Sequence, residues 1–401
     1  MKHIKDPLYG YIDIPSEELS IINTPEFQRL RRIKQLGLSD VVYPSATHTR
    51  FSHSLGVMYL AEQLAKSVDV SEYTIRANKI AGLIHDIGHL PFSHTLENLL
   101  ENEKGISHED ISCNYIDKLE NRDGVKFPVD INDVKDIIHG KNKMINTVSS
   151  DIDADRLDYL VRDSYYTGVN LGNIESDTLI KFSQIIDGMV GFDHKSLKSV
   201  ERLLDARMQM NYSVYAHNAV SITETMLERS VEQYLDNTNT SILDLVGKDD
   251  SELSYELKKT NVDSARELFV NIQNRNLYKT SFLAPLQNTS IEQIKYISEF
   301  FERPQVHEKR IAEMAGLDET EVLINPPNYT DDEKFNIPIY TPLGEIKYLE
   351  DISPKPDALR KSSRIHENLH VFCPEEYTDL VHNTTKEYIE TIDEITKLNI
   401  Q

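Results

Sequence analysis

Apolar residues recur at helical spacing along most of this chain, and that periodicity limits it to a mainly α fold. Phe27, Leu30, Ile33 and Leu36 follow a Thr24-Pro25 start, with Thr24 placed as an N-cap. Val57, Leu60, Ala61, Leu64 and Val68 form a second stripe. Ala77, Ile80, Ile84 and Ile87 form a third, ending at Gly88. Ile111, Tyr115, Ile116 and Leu119 suggest a fourth, and one long helical pattern runs from about Leu197 to Tyr234. Further helices are predicted over 263–273, 290–302, 308–316 and 375–397. Strand signals come late, as a short hairpin over Ile337–Tyr348 turning at Pro342-Leu343-Gly344 and as a strand over Leu369–Phe372. The expectation is a helical core over 1–330 and a smaller α+β region over 331–401. The boundary rests on Asn325-Pro326-Pro327-Asn328.

At 401 residues the chain is long enough to bury a core without disulfide or metal staples. Its two cysteines, Cys113 and Cys373, provide neither a disulfide framework nor a cysteine zinc motif. There is no run of 18 apolar residues, and Met1–Pro7 lacks the apolar core of a signal peptide, so a cytoplasmic protein is expected. The formal charge of −23 argues against broad binding to nucleic acid or anionic lipid, while leaving room for a local basic pocket.

Chemistry concentrates in the histidines. His48, His53, His85, His89, His94 and His108 fall within 61 residues, with acidic neighbours at Asp86 and in Asp153-Ala154-Asp155. Imidazole with carboxylate suits a divalent metal such as Mn, Fe, Zn or Ni. His85 and His89 stand four apart, on one face if the helix continues past Gly88. Asp155, Tyr159 and Asp163 make a polar stripe at helical spacing, and Arg207, Asn211 and Tyr215 make another. Taken singly, each has an ordinary explanation: a satisfied histidine, a solvated ion pair, amphipathic packing. His48, His139, His194 and His382 are read that way. The joint pattern is what points to a helix-lined metal site.

His53, then His85-Asp86, then Asp155 resembles the H…HD…D pattern of the HD-domain metal-dependent phosphohydrolases. The likeness is closer to their deoxynucleoside triphosphate triphosphohydrolase branch. It is carried by Phe27–Gly37, Arg50–Gly56, Ala81–His94, His108-Glu109, Ile152–Tyr159 and Tyr215–His217. The resemblance implies that His53, His85, Asp86 and Asp155 hold one divalent transition metal, with Mg²⁺ accompanying the substrate phosphates. It implies that His89, His94, His108 and Glu109 line the reacting phosphate, with His108 protonating the leaving 5′ oxygen. Arg50, Arg156, Tyr159 and Arg207 would hold the phosphate tail. Gln35 and Asp163 would bind the 3′-hydroxyl, and Leu36 and Tyr215 would crowd the 2′ position. A homo-oligomer, dimer or tetramer, is implied, with an activating nucleotide read by the segment Lys2–Gly10. Asn23 stands where that branch has an acidic residue reading guanine. Arg29 and Arg31 resemble basic positions of the activator site and could equally be solvated helix charges. Other nucleotide substrates (monophosphates, cyclic or signalling nucleotides), a non-catalytic nucleotide sensor and a nuclease remain as alternatives, the last least compatible with the charge.

Overall fold

A computed structural model describes residues 1–141, 144–286, 289–327, 335–363 and 368–392. The expected boundary at 330/331 lies outside the described residues, as does the end, 393–397, of the last expected helix. Over the described residues the fold is mainly helical with three small sheets. The chain divides into two compact units, each built from separated stretches of sequence.

The first unit comprises Met1–Asn211, Ser241–Leu253 and Phe335–Pro356. Its centre is the Arg50–Ser67 helix, which packs on the Glu72–Ile84 helix and on the Ala154–Thr167 helix. The apolar stripe Val57, Leu60, Ala61, Leu64 is fully buried there, as its spacing predicts. Before it, the strands Lys2–Asp6 and Gly10–Ile14 pair as an antiparallel hairpin, which the helical reading missed. A second hairpin, Ser183–Ile186 with Met189–Asp193, was also missed. It is extended by the expected late hairpin, now placed at Pro338–Tyr340 and Ile346–Tyr348. Met189–Asp193 and Pro338–Tyr340 run parallel in the resulting four-stranded sheet.

The second unit comprises Tyr212–Thr240, Ser254–Lys334 and Asp357–Gln401. Its sheet places Asn368–Cys373 between Lys279–Pro285 and Leu323–Asn325, all antiparallel. Phe282, Ile297, Phe301, Ile311 and Val371 form its apolar core.

Two helix expectations are corrected. The long helix expected over 197–234 is interrupted: Leu197–Met210 widens into one π-helical turn, Asn211–Tyr215. A new helix, Asn218–Asp236, then starts with the His217 ring accepting from the Ala219 N–H at 3.2 Å. The third stripe ends as a helix at Ile84, so His85 and His89 do not share one helical face.

Candidate metal centre

The Arg50–Ser67 helix contributes Arg50 and His53 from its first turns. His85 caps the end of the Glu72–Ile84 helix, and Asp86 to His89 follow in a turn. Asp153 caps the Ala154–Thr167 helix by accepting from the Arg156 N–H at 2.8 Å, which places Asp155 in its first turn. Four side chains meet. His53 Nε2 stands 3.0 Å from Asp155 and 3.7 Å from Asp86. His85 Nε2 stands 3.2 Å from Asp86 and 3.7 Å from Asp155. His53, His85 and Asp86 present ligand atoms within 4.8 Å of one another.

The donor set fits a divalent cation on three observations. His85 Nε2 is buried and makes no hydrogen bond. The other nitrogen of each ring is already held, His53 Nδ1 by Asp158 at 2.8 Å and His85 Nδ1 by the Gly82 carbonyl at 3.0 Å. Such partners fix which ring nitrogen faces a metal. The carboxylates also leave the cluster short of positive charge. Burial would lower the His53 pKa, yet Asp155 and Asp158 push it up to about 10. For Asp86, burial is outweighed by His85 and Arg50, which hold its carboxyl well below the usual carboxylate range.

A second cluster adjoins the first. Burial, Arg50 and His108 push the His89 pKa well down. Its ring lies 3.2 Å from Asp86 and stacks on His108 with centroids 3.9 Å apart. Asp86, His89 and His108 also come close enough to hold an ion. Gly88 permits this approach: a Cβ there would meet the His108 carbonyl at 2.3 Å and the Ser112 N at 2.4 Å. Glu97 gathers three histidines, with oxygens 2.5 Å from His108, 2.6 Å from His94 and 3.2 Å from His89. Glu109, the expected partner of His108, is 3.4 Å away. Burial would lower the His108 pKa, but Glu97 first and Glu109 second raise it. The nearer carboxylate is therefore one that the sequence reading missed, because an acid opening a helix ordinarily faces water.

Arg50 is tied to the centre. It donates to Asp86 at 2.5 Å and to Ser93 at 2.6 Å, and its third nitrogen lies 3.1 Å from His94. Ser93 and Phe92 both hold left-handed backbone conformations, φ 52° and 57°, unusual for such residues. Asp250, from the stretch Ser241–Leu253, accepts from the Phe92 and Lys34 N–H groups and holds this bend.

A cavity of about 560 Å³ opens beside Asp155. Arg156, Tyr159 and Arg207 line it, with the Val148–Asp153 loop, the Gly188–Val190 turn and Asn336–Pro338. Its volume lies in the range of small-molecule sites. Arg156 also donates to Asp153 at 2.9 Å and to the Ser150 carbonyl. Burial pushes the Tyr159 phenol up to about 12.

The remaining expected site residues are spread. Asp163 is buried against His48, 2.8 Å from its Nε2, which gives His48 the buried polar partner of a satisfied histidine. Gln35 is buried with its Oε1 unpartnered, and Leu36 is half-buried beside it in sequence. Tyr215 ends the π-helical turn in the second unit. Arg29 is neither solvated nor open to a ligand, since it is buried and donates to the Ile87 and Lys248 carbonyls at 2.7 Å. Arg31 is exposed and covers the Phe51 ring.

Fold and centre define a helical protein with a histidine–carboxylate site, and sequence comparison gives the same class. Residues 50–163 match the HD domain and residues 174–399 the HD associated region. The chain belongs to the HD-domain phosphohydrolase family. It is 35% identical to an uncharacterized protein of Methanocaldococcus jannaschii, over 98% of this chain and 84% of that one. It is 32% identical to a deoxynucleoside triphosphate triphosphohydrolase SAMHD1 homolog of Dictyostelium discoideum, over 69% of this chain and 59% of that one. It therefore spans less than two thirds of the latter. The crystal structure of a phosphohydrolase from Bacteroides thetaiotaomicron is similar at a TM-score of 0.72, with 27% identity. That match covers 94% of this chain and all of the other. Among the described residues no helix is long and apolar enough to cross a membrane.

Proposed function

We propose that this chain hydrolyses deoxynucleoside triphosphates to deoxynucleoside and inorganic triphosphate. One divalent transition metal (Mn, Fe, Zn or Ni) would be held by His53, His85, Asp86 and Asp155. The observation that carries the reading is the cavity in which Arg156, Tyr159 and Arg207 stand together beside Asp155. A forked guanidinium can bond two phosphate oxygens at once. Two of them with a phenol, set to one side of the metal ligands, suit a chain of phosphates better than a single one. When bound, the metal lowers the pKa of its water and polarises the phosphoryl oxygen.

The protein's own residues supply the rest. Arg50, fixed by Asp86 and Ser93, holds the phosphate tail with Arg156, Tyr159 and Arg207. His108 hands a proton to the leaving 5′ oxygen, with Glu97 holding its Nδ1 side and Glu109 beside its Nε2. His89 and His94 complete the wall around the reacting phosphate. Asp163, steadied by His48, and Gln35 take the 3′-hydroxyl. Leu36 and Tyr215 exclude a 2′-hydroxyl by bulk, since an absent group offers nothing to bond. Mg²⁺ accompanies the phosphate tail. The protein works in the cytoplasm as a dimer or tetramer, with a nucleotide at the Lys2–Gly10 segment as activator. Neither nucleic acid nor a membrane is a partner in this reading.

The test is hydrolysis of each dNTP and NTP with Mn²⁺ or Mg²⁺, singly and in mixtures, with products resolved by ³¹P NMR. Inorganic triphosphate released from dNTPs, and lost in Asp155→Ala, is the expected result. Turnover that needs a mixture would mark an activator. Release of pyrophosphate or monophosphate would move the attack to another bond, and turnover of monophosphates alone would overturn the triphosphate reading.

A further inference from the structure

The metal ligand His53 ends a buried chain of charges that begins on the N-terminal hairpin. Its Nδ1 lies 2.8 Å from Asp158 Oδ2. Arg162 donates to both oxygens of Asp158, from Nε at 2.8 Å and Nη2 at 2.9 Å. Its remaining nitrogen, Nη1, reaches Asp6 at 2.9 Å. Asp6 closes the strand Lys2–Asp6, and its other oxygen accepts from the Leu8 and Tyr9 N–H groups at 2.8 and 3.2 Å, which shapes the hairpin turn. Tyr9 then stacks on Tyr59 of the Arg50–Ser67 helix with ring centroids 5.1 Å apart.

All four side chains are at most 4% exposed. Burying a charge costs several kcal/mol unless it is paired and hydrogen-bonded. A row of this length is tolerated because each member answers the next. The helix backbone is also cut to receive it. A Cβ on Gly56, three residues after His53, would sit 1.8 Å from Asp158 Oδ1 and 2.5 Å from Arg162 Nη2. Only glycine leaves room for the pair at that point.

We propose that Asp158, Arg162 and Asp6 are positioning residues of the metal centre, so that the hairpin Lys2–Ile14 forms part of the machinery that aims His53. Asp158 holds the imidazole with Nε2 towards Asp86 and Asp155. Arg162 holds Asp158 by both oxygens, and Asp6 stops Arg162 from turning. This rests on the reading that His53 holds a metal.

The test measures Mn²⁺ affinity of the full chain by calorimetry and bound metal per chain by mass spectrometry. Thermal melts in EDTA accompany both. Asp158→Asn is expected to weaken affinity about 10- to 100-fold, the usual loss when the partner of a ligating histidine is removed. Asp6→Asn is expected to weaken it less but measurably. Asp13→Asn, which removes the exposed partner of His3 on the same hairpin, is expected to leave it unchanged. In ¹⁵N-histidine NMR spectra of the metal-free protein, the His53 resonance should move in Asp158→Asn and Asp6→Asn and stay in Asp13→Asn. If Asp158→Asn does not fold, Asp6→Asn, which keeps the Asp158–Arg162 pair, decides by the same measurements. Folded Asp158→Asn and Asp6→Asn proteins with wild-type affinity would overturn the proposal alone. Wild-type protein that binds no divalent ion, or binding that survives His53→Ala, would overturn the metal-centre reading and this proposal with it.

Discussion

The first unit buries Arg50, His53, Asp86, Asp158 and Arg162 at the heart of its helices. The second buries Phe282, Ile297, Phe301 and Val371 against its sheet, and its charged pair Arg229–Glu308 also bonds the Ile324 N–H through Glu308. Both interiors bury apolar side chains, and they differ in how much charge they bury beside them. Apolar burial stabilises by about 25 cal/mol per Å², while buried ions at best offset their own desolvation. The first interior contains a polar cluster that folding alone would not select, and that is where the ligand atoms converge.

That contrast can be broken from either side. The largest expected effect is on turnover: Asp155→Ala should cut dNTP hydrolysis about a thousandfold, roughly 4 kcal/mol of lost transition-state stabilisation. Its melting temperature in EDTA should fall little, because the Asp155 side chain is 36% exposed. Next is metal itself. Holding Mn²⁺ at a hundred times its Kd should stabilise the protein by about 2.7 kcal/mol over the EDTA-treated form. Differential scanning fluorimetry reads the shift, and His53→Ala should abolish it. Smaller again is Arg207→Ala, which removes a guanidinium proposed to hold the phosphate tail and should raise KM for a triphosphate about tenfold, near 1.4 kcal/mol. Steady-state kinetics with a monophosphate as comparison would sharpen the point, since only the triphosphate should suffer. The smallest is in the other interior. Ile297→Val in the second unit should cost about 1 kcal/mol in urea unfolding and leave metal affinity untouched. If it weakened metal binding, the separation of the two interiors would fail.

Much of the centre was legible because its residues are close in sequence or stand in a recognisable order. His85 and Asp86 are adjacent, and Arg50 and His53 share a helical turn. Asp155 was reached through the family pattern and its polar stripe with Tyr159 and Asp163, and the packing of the Ala154–Thr167 helix on the Arg50–Ser67 helix brings it to His53. Glu97, Asp158 and Arg162 were not legible as partners of this histidine cluster. Each is a charged residue on a helix, and a charged residue at helical spacing is ordinarily a solvated face. His48 was read as a satisfied histidine, and the fold supplies its partner, Asp163. The two early hairpins escaped because short strands carry little periodicity against a helical background.

By itself the sequence determined the helical class, the unusual density of histidine and carboxylate before residue 164, and the family pattern that orders them. Local propensity and spacing are enough for these, because they involve neighbours along the chain or along one helix. Tertiary structure alone decided which charges face inward. It also decided that residues 241–253 and 335–356 pack with the first unit, and that Asp6 answers Arg162 across 156 positions. Whether a carboxylate is a solvated ornament or a buried strut depends on what other segments place around it. A one-dimensional pattern does not carry that information.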